Sequence, residues 1–508
     1  MTSDSRCDTR LTFHRLLKVV VISLVLVVGL AGRRVAAATR LVMLRERNVA
    51  ALRGLLARQQ DPTSADFQRW LTPREFGRRF GARTRDVRKV SRWLAAEGCR
   101  VRRFPNRQLV ACSGPPPREP PANLRWVIDG VLDVDRPPPT VNHLREHELR
   151  PLLRGPGGGF GFSPAEFARV YNLEPALAAG FDGRDQRIGI VAISGIHVEE
   201  LAAFRERFGL PAAVLTQDDG PRLVGSTDPE IGEVEADLDV EWSGAVAPGA
   251  RLHLAVADSP VESLAHLVNL ADISVISAST DLCRFRPVRH EVREADRLLR
   301  QAKAQGQTVL AASGDRGSRS CGDRFIHTFG ALASSPLVTS VGGTMPSPAL
   351  DDADNATGYG TEVVWNDNDK EGTSSGGGLT RLRRPSYQRG LPHRTVPDVS
   401  FPASGVFPIA TRGLGVVCCV GGTSVAAPAW AGVVAILNQM RGARIGFLNP
   451  RLYALGRAQR RGGPVVFHDV TEGANDRFPA LPGYDLATGW GTIDGEAFFN
   501  ALADVRKH

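Results

Sequence analysis

None of the seven cysteines stands in a Cys-x-x-Cys pair, the spacing by which small zinc modules present two thiolates to one ion, so a structural zinc site of that kind is excluded. The basic stretches behind the formal charge of +9 are not interleaved with aromatics and are broken by acids and apolar residues, as at Arg92-Trp93-Leu94 with Glu97 beyond. Without a stacking platform, arginines such as Arg83, Arg85, Arg88 and Arg102-Arg103 read as a solvated face, and no nucleic-acid partner is expected. Beyond the N-terminal segment no apolar run approaches the roughly 20 residues that span a bilayer, so no stable membrane association is expected. No internal repeat is present, which removes solenoids and propellers.

What is there begins with an export signal. Arg10, Arg15 and Lys18 precede an apolar run from Val19 to Gly32, and Ala36-Ala37-Ala38 follows, the order of a secretory signal over residues 1–38. An uncleaved anchor is the alternative, kept open by Arg33 and Arg34. Export predicts a secreted, extracellular protein, or a periplasmic one. Cys7 would leave with the signal, and the six remaining cysteines suit an oxidising compartment. Cys99 and Cys112 would close a hairpin if paired, while the connectivity of Cys283, Cys321, Cys418 and Cys419 stays open.

A chain of 508 residues is long enough for two folded units. Residues 39–114 read as a small α+β unit with amphipathic helices over Asn48–Gln59 and Thr84–Glu97. Residues 115–160 are rich in Pro-Pro and Gly-Gly steps and read as an extended connection that is easy to cut. From 161 to 505, apolar runs (188–193, 252–256, 273–276, 309–312) alternate with helical segments (198–207, 260–270, 289–304), the pattern of a parallel sheet with helices on its faces. Chemistry in such sheets sits beyond the carboxyl ends of the strands.

Four segments carry candidate chemistry. Gly421-Gly422-Thr423-Ser424 opens an apolar helical stretch, where backbone N–H groups and the helix dipole favour an oxyanion near Ser424; an ordinary N-cap serine is the plainer alternative. Glu233, Glu235, Asp237, Asp239 and Glu241 alternate with apolar residues. On a strand they would share one solvated face, whereas on a helix Glu235 aligns with Asp239 and Glu233 with Asp237, two separate pairs. Ser313-Gly314-Asp315-Arg316-Gly317 ends a strand in a turn that aims Asp315 over the sheet. Asp469 and Asp485 bring oxygen ligands of the kind calcium prefers, and an Asx-turn pair is the alternative.

Gly-Thr-Ser followed by Ala-x-Pro resembles the nucleophile motif shared by subtilisin and sedolisin peptidases. A subtilisin base is a histidine followed by glycine, and none of the eleven histidines here is. Glu235-Ala-Asp-Leu238-Asp239 before Ala247-Pro248-Gly249-Ala250 is similar to the acidic segment of sedolisins, and Asp61-Pro62 through Trp70-Leu71-Thr72-Pro73 to their activation domain. The resemblance covers about residues 45 to 500. It implies an α/β fold with a subtilisin-like parallel sheet and flanking helices, preceded by a small α+β (ferredoxin-like) prodomain. It implies Ser424 as nucleophile, Glu235 as base, Asp239 as its orienting partner and Asp315 as oxyanion donor. One structural Ca2+ would be held by Asp469, Val470, Gly483 and Asp485. The expected protein is a monomeric, self-processing zymogen that hydrolyses protein or peptide substrates in acid, with its own prodomain as intramolecular inhibitor. Arginines of that prodomain would pair with catalytic-domain carboxylates that lose charge on acidification. A catalytically impaired, peptide-binding relative is the alternative. Three positions depart from the family pattern: Ala192 and Thr280, where related members carry a glutamate and a tryptophan behind the acidic pair, and Leu481 in the calcium loop.

Overall fold

The computed structural model describes residues 39–115, 117–133, 140–142, 145–151, 162–218, 229–283, 289–321, 329–367, 372–404 and 407–503; the proposed signal lies outside them. Strand β1 (Thr39–Leu44) leads to helices α1 (Val49–Arg58), α2 (Pro73–Arg79) and α3 (Thr84–Ala96), then strands β2 (Arg100–Arg103), β3 (Leu109–Ser113) and β4 (Ile128–Asp133). The four strands form one sheet in the order β2-β3-β1-β4. Helix α2 starts where Thr72 and Glu75 make a reciprocal capping box, the arrangement that satisfies two orphan N–H donors at once. Alternation along β1 divides the sheet's contacts: Val42 and Leu44 pack with Val87, Val90 and Leu94 of α3, while Leu41 and Met43 join a second cluster. The Cys99–Cys112 disulfide ties α3's exit to β3. Strand β4 lies within the stretch read as an extended connection. Leu124, Val127, Ile128 and Leu132 are buried there, which places the strand on the sheet instead of in solvent.

Two further strands of that connection, β5 (Thr140–Asn142) and β6 (Arg145–Pro151), pair with the larger unit. Its strands include β7 (Arg187–Ala192), β8 (Val214–Gln217), β9 (Arg251–Val256), β10 (Val275–Ala278), β11 (Thr280–Leu282), β12 (Thr308–Ala312), β13 (Thr339–Leu350), β14 (Ala356–Val364), β15 (Gly378–Arg383), β16 (His393–Val396), β17 (Val399–Pro402), β18 (Phe407–Ala410) and β19 (Val416–Gly421). An eight-stranded sheet runs β14-β13-β12-β10-β7-β9-β8, with β17 also on β13. Every pairing in it is parallel except β13 with β14. Its helices include α4 (Val198–Arg207), α5 (Pro229–Val246), α6 (Pro260–Val268), α7 (Arg289–Ala304) and α8 (Thr423–Arg441). The α/β reading, with its strand–helix alternation, is what the described residues of the larger unit adopt.

One face of the sheet is covered by α5 and α8 around Trp242, Trp430 and Phe401, all in one buried cluster. The other carries α6 and α7, and there Leu298, Leu299 and Ala302 meet Leu41, Met43, Leu109 and Leu132 of the N-terminal sheet. Around this apolar contact Arg297 donates to Asp129 (2.8 Å) and Arg300 to Glu46 (2.9 Å), so the strongest ion pairs put the arginines on the large unit and the carboxylates on the small one. Only Arg102, 3.8 Å from Glu262, follows the expected direction among the described pairs between the two. The sign of a docking patch depends on which faces meet, which overall composition does not record. Asn106, fully buried, donates to Gln301 (2.8 Å) and accepts nothing charged, its N–H bonding Asn269 (3.0 Å). Among the described residues no helix is long and apolar enough to cross a membrane.

Candidate active site

Ser424 is the second residue of α8 and fully buried. The strand-to-helix turn needs Gly422, whose φ of 128° is closed to L side chains. Thr423 fixes what lies opposite. Its N–H and its hydroxyl both donate to Asp315 Oδ1 (2.9 and 2.7 Å), and Gly314 N–H donates to the same hydroxyl (3.1 Å). The turn after β12 and the start of α8 are thereby joined, and Asp315 and Ser424 become neighbours although 109 residues separate Gly314 from Thr423.

The acidic ladder forms helix α5, not a strand. It packs closely on α8 because Gly432 leaves no side chain between the helices; a Cβ there would sit 2.6 Å from that of Val246. Glu235 and Asp239 occupy successive turns on the side of Ser424, exposed by only 2% and 1%. Burial pushes the Glu235 carboxyl well above its ordinary range, the neighbouring Asp239 and Asp315 push it further, and Ser424 pulls it down. Burial likewise raises Asp239, against a lowering hydrogen bond from Ser279, whose hydroxyl lies 2.6 Å from Asp239 Oδ1 and 3.3 Å from the carbonyl oxygen of Ser424. Two carboxyls so placed titrate as a pair.

The remaining ladder members face elsewhere. Asp237 accepts from the Thr411 hydroxyl (2.7 Å) and Glu241 from Ala410 N–H (3.0 Å), while Glu233 lies 3.6 Å from His197. The runner-up pair, Glu233 and Asp237, therefore looks away from Ser424. Ser279 was not singled out by pattern; the signal it offered was its place at the end of Ile276-Ser-Ala-Ser279, a strand terminus beside the site.

Two strands border the site and hold the connection. Thr280, next to Ser279, pairs antiparallel with Asn142 through β11–β5. Gly421, three residues before Ser424, pairs with Arg145 through β19–β6. The Cys283–Cys321 disulfide joins the end of β11 to the segment after Asp315.

Near the C-terminus Asp469 accepts from Gly483 N–H (2.7 Å), and Asp485 accepts from Leu481, Ala487 and Thr488 N–H (2.8 to 3.1 Å). Both carboxylates thus hold one loop, although among the described residues no cluster of three or more metal-type side chains exists. Burial raises Asp485 to about 6, a cost that a hard cation would relieve. Two carboxylates with backbone carbonyls from Val470 and Gly483 are a donor set that fits calcium.

A parallel sheet of this order, with a serine opening a buried helix beside carboxylates, has the architecture of a serine-type peptidase of subtilisin-like fold. Residues 36–116 match the family described as pro-kumamolisin, activation domain. The chain is similar to kumamolisin of Bacillus sp. (strain MN-32), 31% identical over 75% of this chain and 72% of that protein. It is similar to sedolisin of Pseudomonas sp. (strain 101), 27% identical over 89% and 85%, and to human tripeptidyl-peptidase 1, 26% identical over 90% of each. The solved structure of Pseudomonas sedolisin, a serine-carboxyl proteinase complexed with two molecules of pseudo-iodotyrostatin, matches with a TM-score of 0.59 at 27% identity, covering 68% of this chain and 98% of its own. The chain belongs to the sedolisin family of serine peptidases and carries that family's activation domain.

Proposed function

We propose that this chain is an exported, acid-acting zymogen in which Ser424, Glu235, Asp239 and Asp315 hydrolyse peptide bonds. The observation that carries the reading is the convergence of these four buried groups from three distant segments, α5, the turn after β12 and the start of α8. Ser424 Oγ attacks the peptide carbonyl carbon as its proton passes to Glu235, and Glu235 then gives that proton to the leaving amine. Water attacks the resulting ester by the same route in reverse, regenerating the serine and releasing the acid. Asp239 holds Glu235 in orientation. Asp315, protonated, donates to the oxyanion, a neutral-carboxyl role that confines turnover to acid.

The connection would be the first substrate. Its strands β5 and β6 lie on the edges that leave Ser279 and enter Gly422, as an extended peptide adds to an exposed sheet edge, and cleavage within 115–160, beyond β4, would free residues 39–114 together with β4 as the activation prodomain. The prodomain, a signal over 1–38 and a catalytic domain over 161–505 complete the proposed organisation. One Ca2+ held by Asp469, Asp485 and the carbonyls of Val470 and Gly483 would brace the C-terminal loop.

Incubating the purified full chain in acid with an unfolded protein tests this. Wild type should lose its N-terminal unit and digest the substrate, Ser424→Ala should do neither, and Asp315→Ala should lose about 10²- to 10³-fold in turnover. Binding without digestion by wild type would favour the peptide-binding alternative. A neutral optimum with Asp315→Ala undiminished would overturn the scheme.

A further inference from the structure

The charged groups that bear on the acidic pair are themselves acidic. Glu235 feels Asp239 from its own helix and Asp315 from the turn after β12, and the remaining influences on the two carboxyls are the hydroxyls of Ser424 and Ser279. Asp281, two residues beyond Ser279, is turned to the N–H groups of Leu332 and Ala333 (3.0 and 2.9 Å). Among the described residues no cation shifts either member of the pair. In a desolvated pair of this kind the position of the shared proton is set by hydrogen bonds.

Position 192 ends β7 with a methyl group, and Thr280 enters β11, both buried beside the site. The hydrogen bond to Asp239 comes instead from Ser279. A hydroxyl has a single proton to give. At 2.6 Å the carboxylate Oδ1 takes it in preference to the Ser424 carbonyl at 3.3 Å.

Resting on the triad reading above, we propose that Ser279 is a positioning residue that orders the acidic pair: by donating to Asp239 Oδ1 it leaves Oδ2 as the oxygen that accepts the proton shared with Glu235. The negative charge of the singly ionised pair is then supported at Asp239, with its proton lying on the Glu235 side of the contact until Ser424 is engaged, and the bond to Asp239 is made without a side chain from position 192. The same bond stabilises the singly ionised pair. Its removal therefore raises the pH at which the pair first loses a proton, and the acid limb of activity must move upward.

The full chain is allowed to mature in acid as wild type, Ser279→Ala and Ser279→Thr, and kcat and KM for a peptide substrate are followed across the acid range. Ser279→Ala should move the acid limb of kcat/KM up by about one pH unit and lower kcat about tenfold, with KM unchanged. Ser279→Thr, which keeps the donor, should restore the wild-type profile. An Ala profile superimposable on wild type, or a Thr variant shifted as far as Ala, overturns the proposal. Should Ser279→Ala yield no mature protein, Ser279→Cys, a weaker donor of similar size, must still move the limb upward, and superposition again overturns it. Inactivity of wild type throughout the acid range would instead count against the triad reading itself.

Discussion

Helix α5 carries two sets of buried carboxyls, and their surroundings differ more than their burial. Glu235 and Asp239 face Ser424 and each other. Asp237 and Glu241 face Thr411 and Ala410 beside β18, with Glu200 of α4 close by, and are equally withdrawn from water. Both sets have raised pKa values, so a perturbed carboxyl alone does not identify the base. What separates the sets is the hydroxyl opposite: a serine opening a buried helix on one side, a threonine in a loop on the other.

The comparison breaks most visibly by removing one acid from each set. Glu235→Gln should cut kcat/KM on the order of 10³-fold, while Asp237→Asn, assayed identically, should stay within about twofold. Equal losses would mean that both sets serve the chemistry.

Smaller but opposite in sign is the effect of Asp237 on stability. Its folded pKa is raised to about 8 from 3.8, first by burial. The neutral form is the one the fold favours, so its stabilisation is full below the unfolded value and is lost as pH rises towards 8. Asp237→Asn should raise the unfolding midpoint near pH 8 and leave it unchanged in strong acid. A midpoint that falls equally at both would sink this account.

Calcium removal bears on neither set. Chelation should lower the unfolding temperature by several degrees through ligand linkage, an effect that Asp485→Asn should largely abolish. Activity measured at low temperature should change little.

The smallest expected effect lies at the prodomain. His266 accepts from Arg102 of β2 at Nε2, with its Nδ1 3.5 Å from Asp218. Burial depresses its pKa, Asp218 opposes the shift and Arg102 adds to it. The docked form therefore favours neutral imidazole, and docking weakens as pH falls below the ordinary value near 6.5. His266→Gln, neutral throughout, should shift the pH of half-maximal maturation down by a few tenths of a unit. An unchanged maturation profile would remove this histidine from the acid response.

Much of this was legible in advance. Strand and helix alternation placed β7, β9, β10 and β12, and α4 and α7 occupy the segments read as helical, because apolar runs bounded by polar turns can be buried in few ways. The acidic ladder was ambiguous between strand and helix by period alone, and the four-residue match of Glu235 to Asp239 resolved it only with Ser424 in view. Ser279 was not readable as a partner of Asp239, because a serine at a strand end is common and its partner lies 40 residues away. The direction of the Arg297–Asp129 and Arg300–Glu46 pairs was equally hidden, since docking is a property of two surfaces together.

Trp70 lies flat against Gly306 and Gly446, and beside it Leu71 N–H donates to the carbonyl of Ala304. With the amide of Asn106 on Gln301, these contacts contain nothing that acid can titrate. Cutting the connection would therefore not by itself release the prodomain: the indole and amide hook would let go only at its own thermal rate, and a severed prodomain would linger on the enzyme.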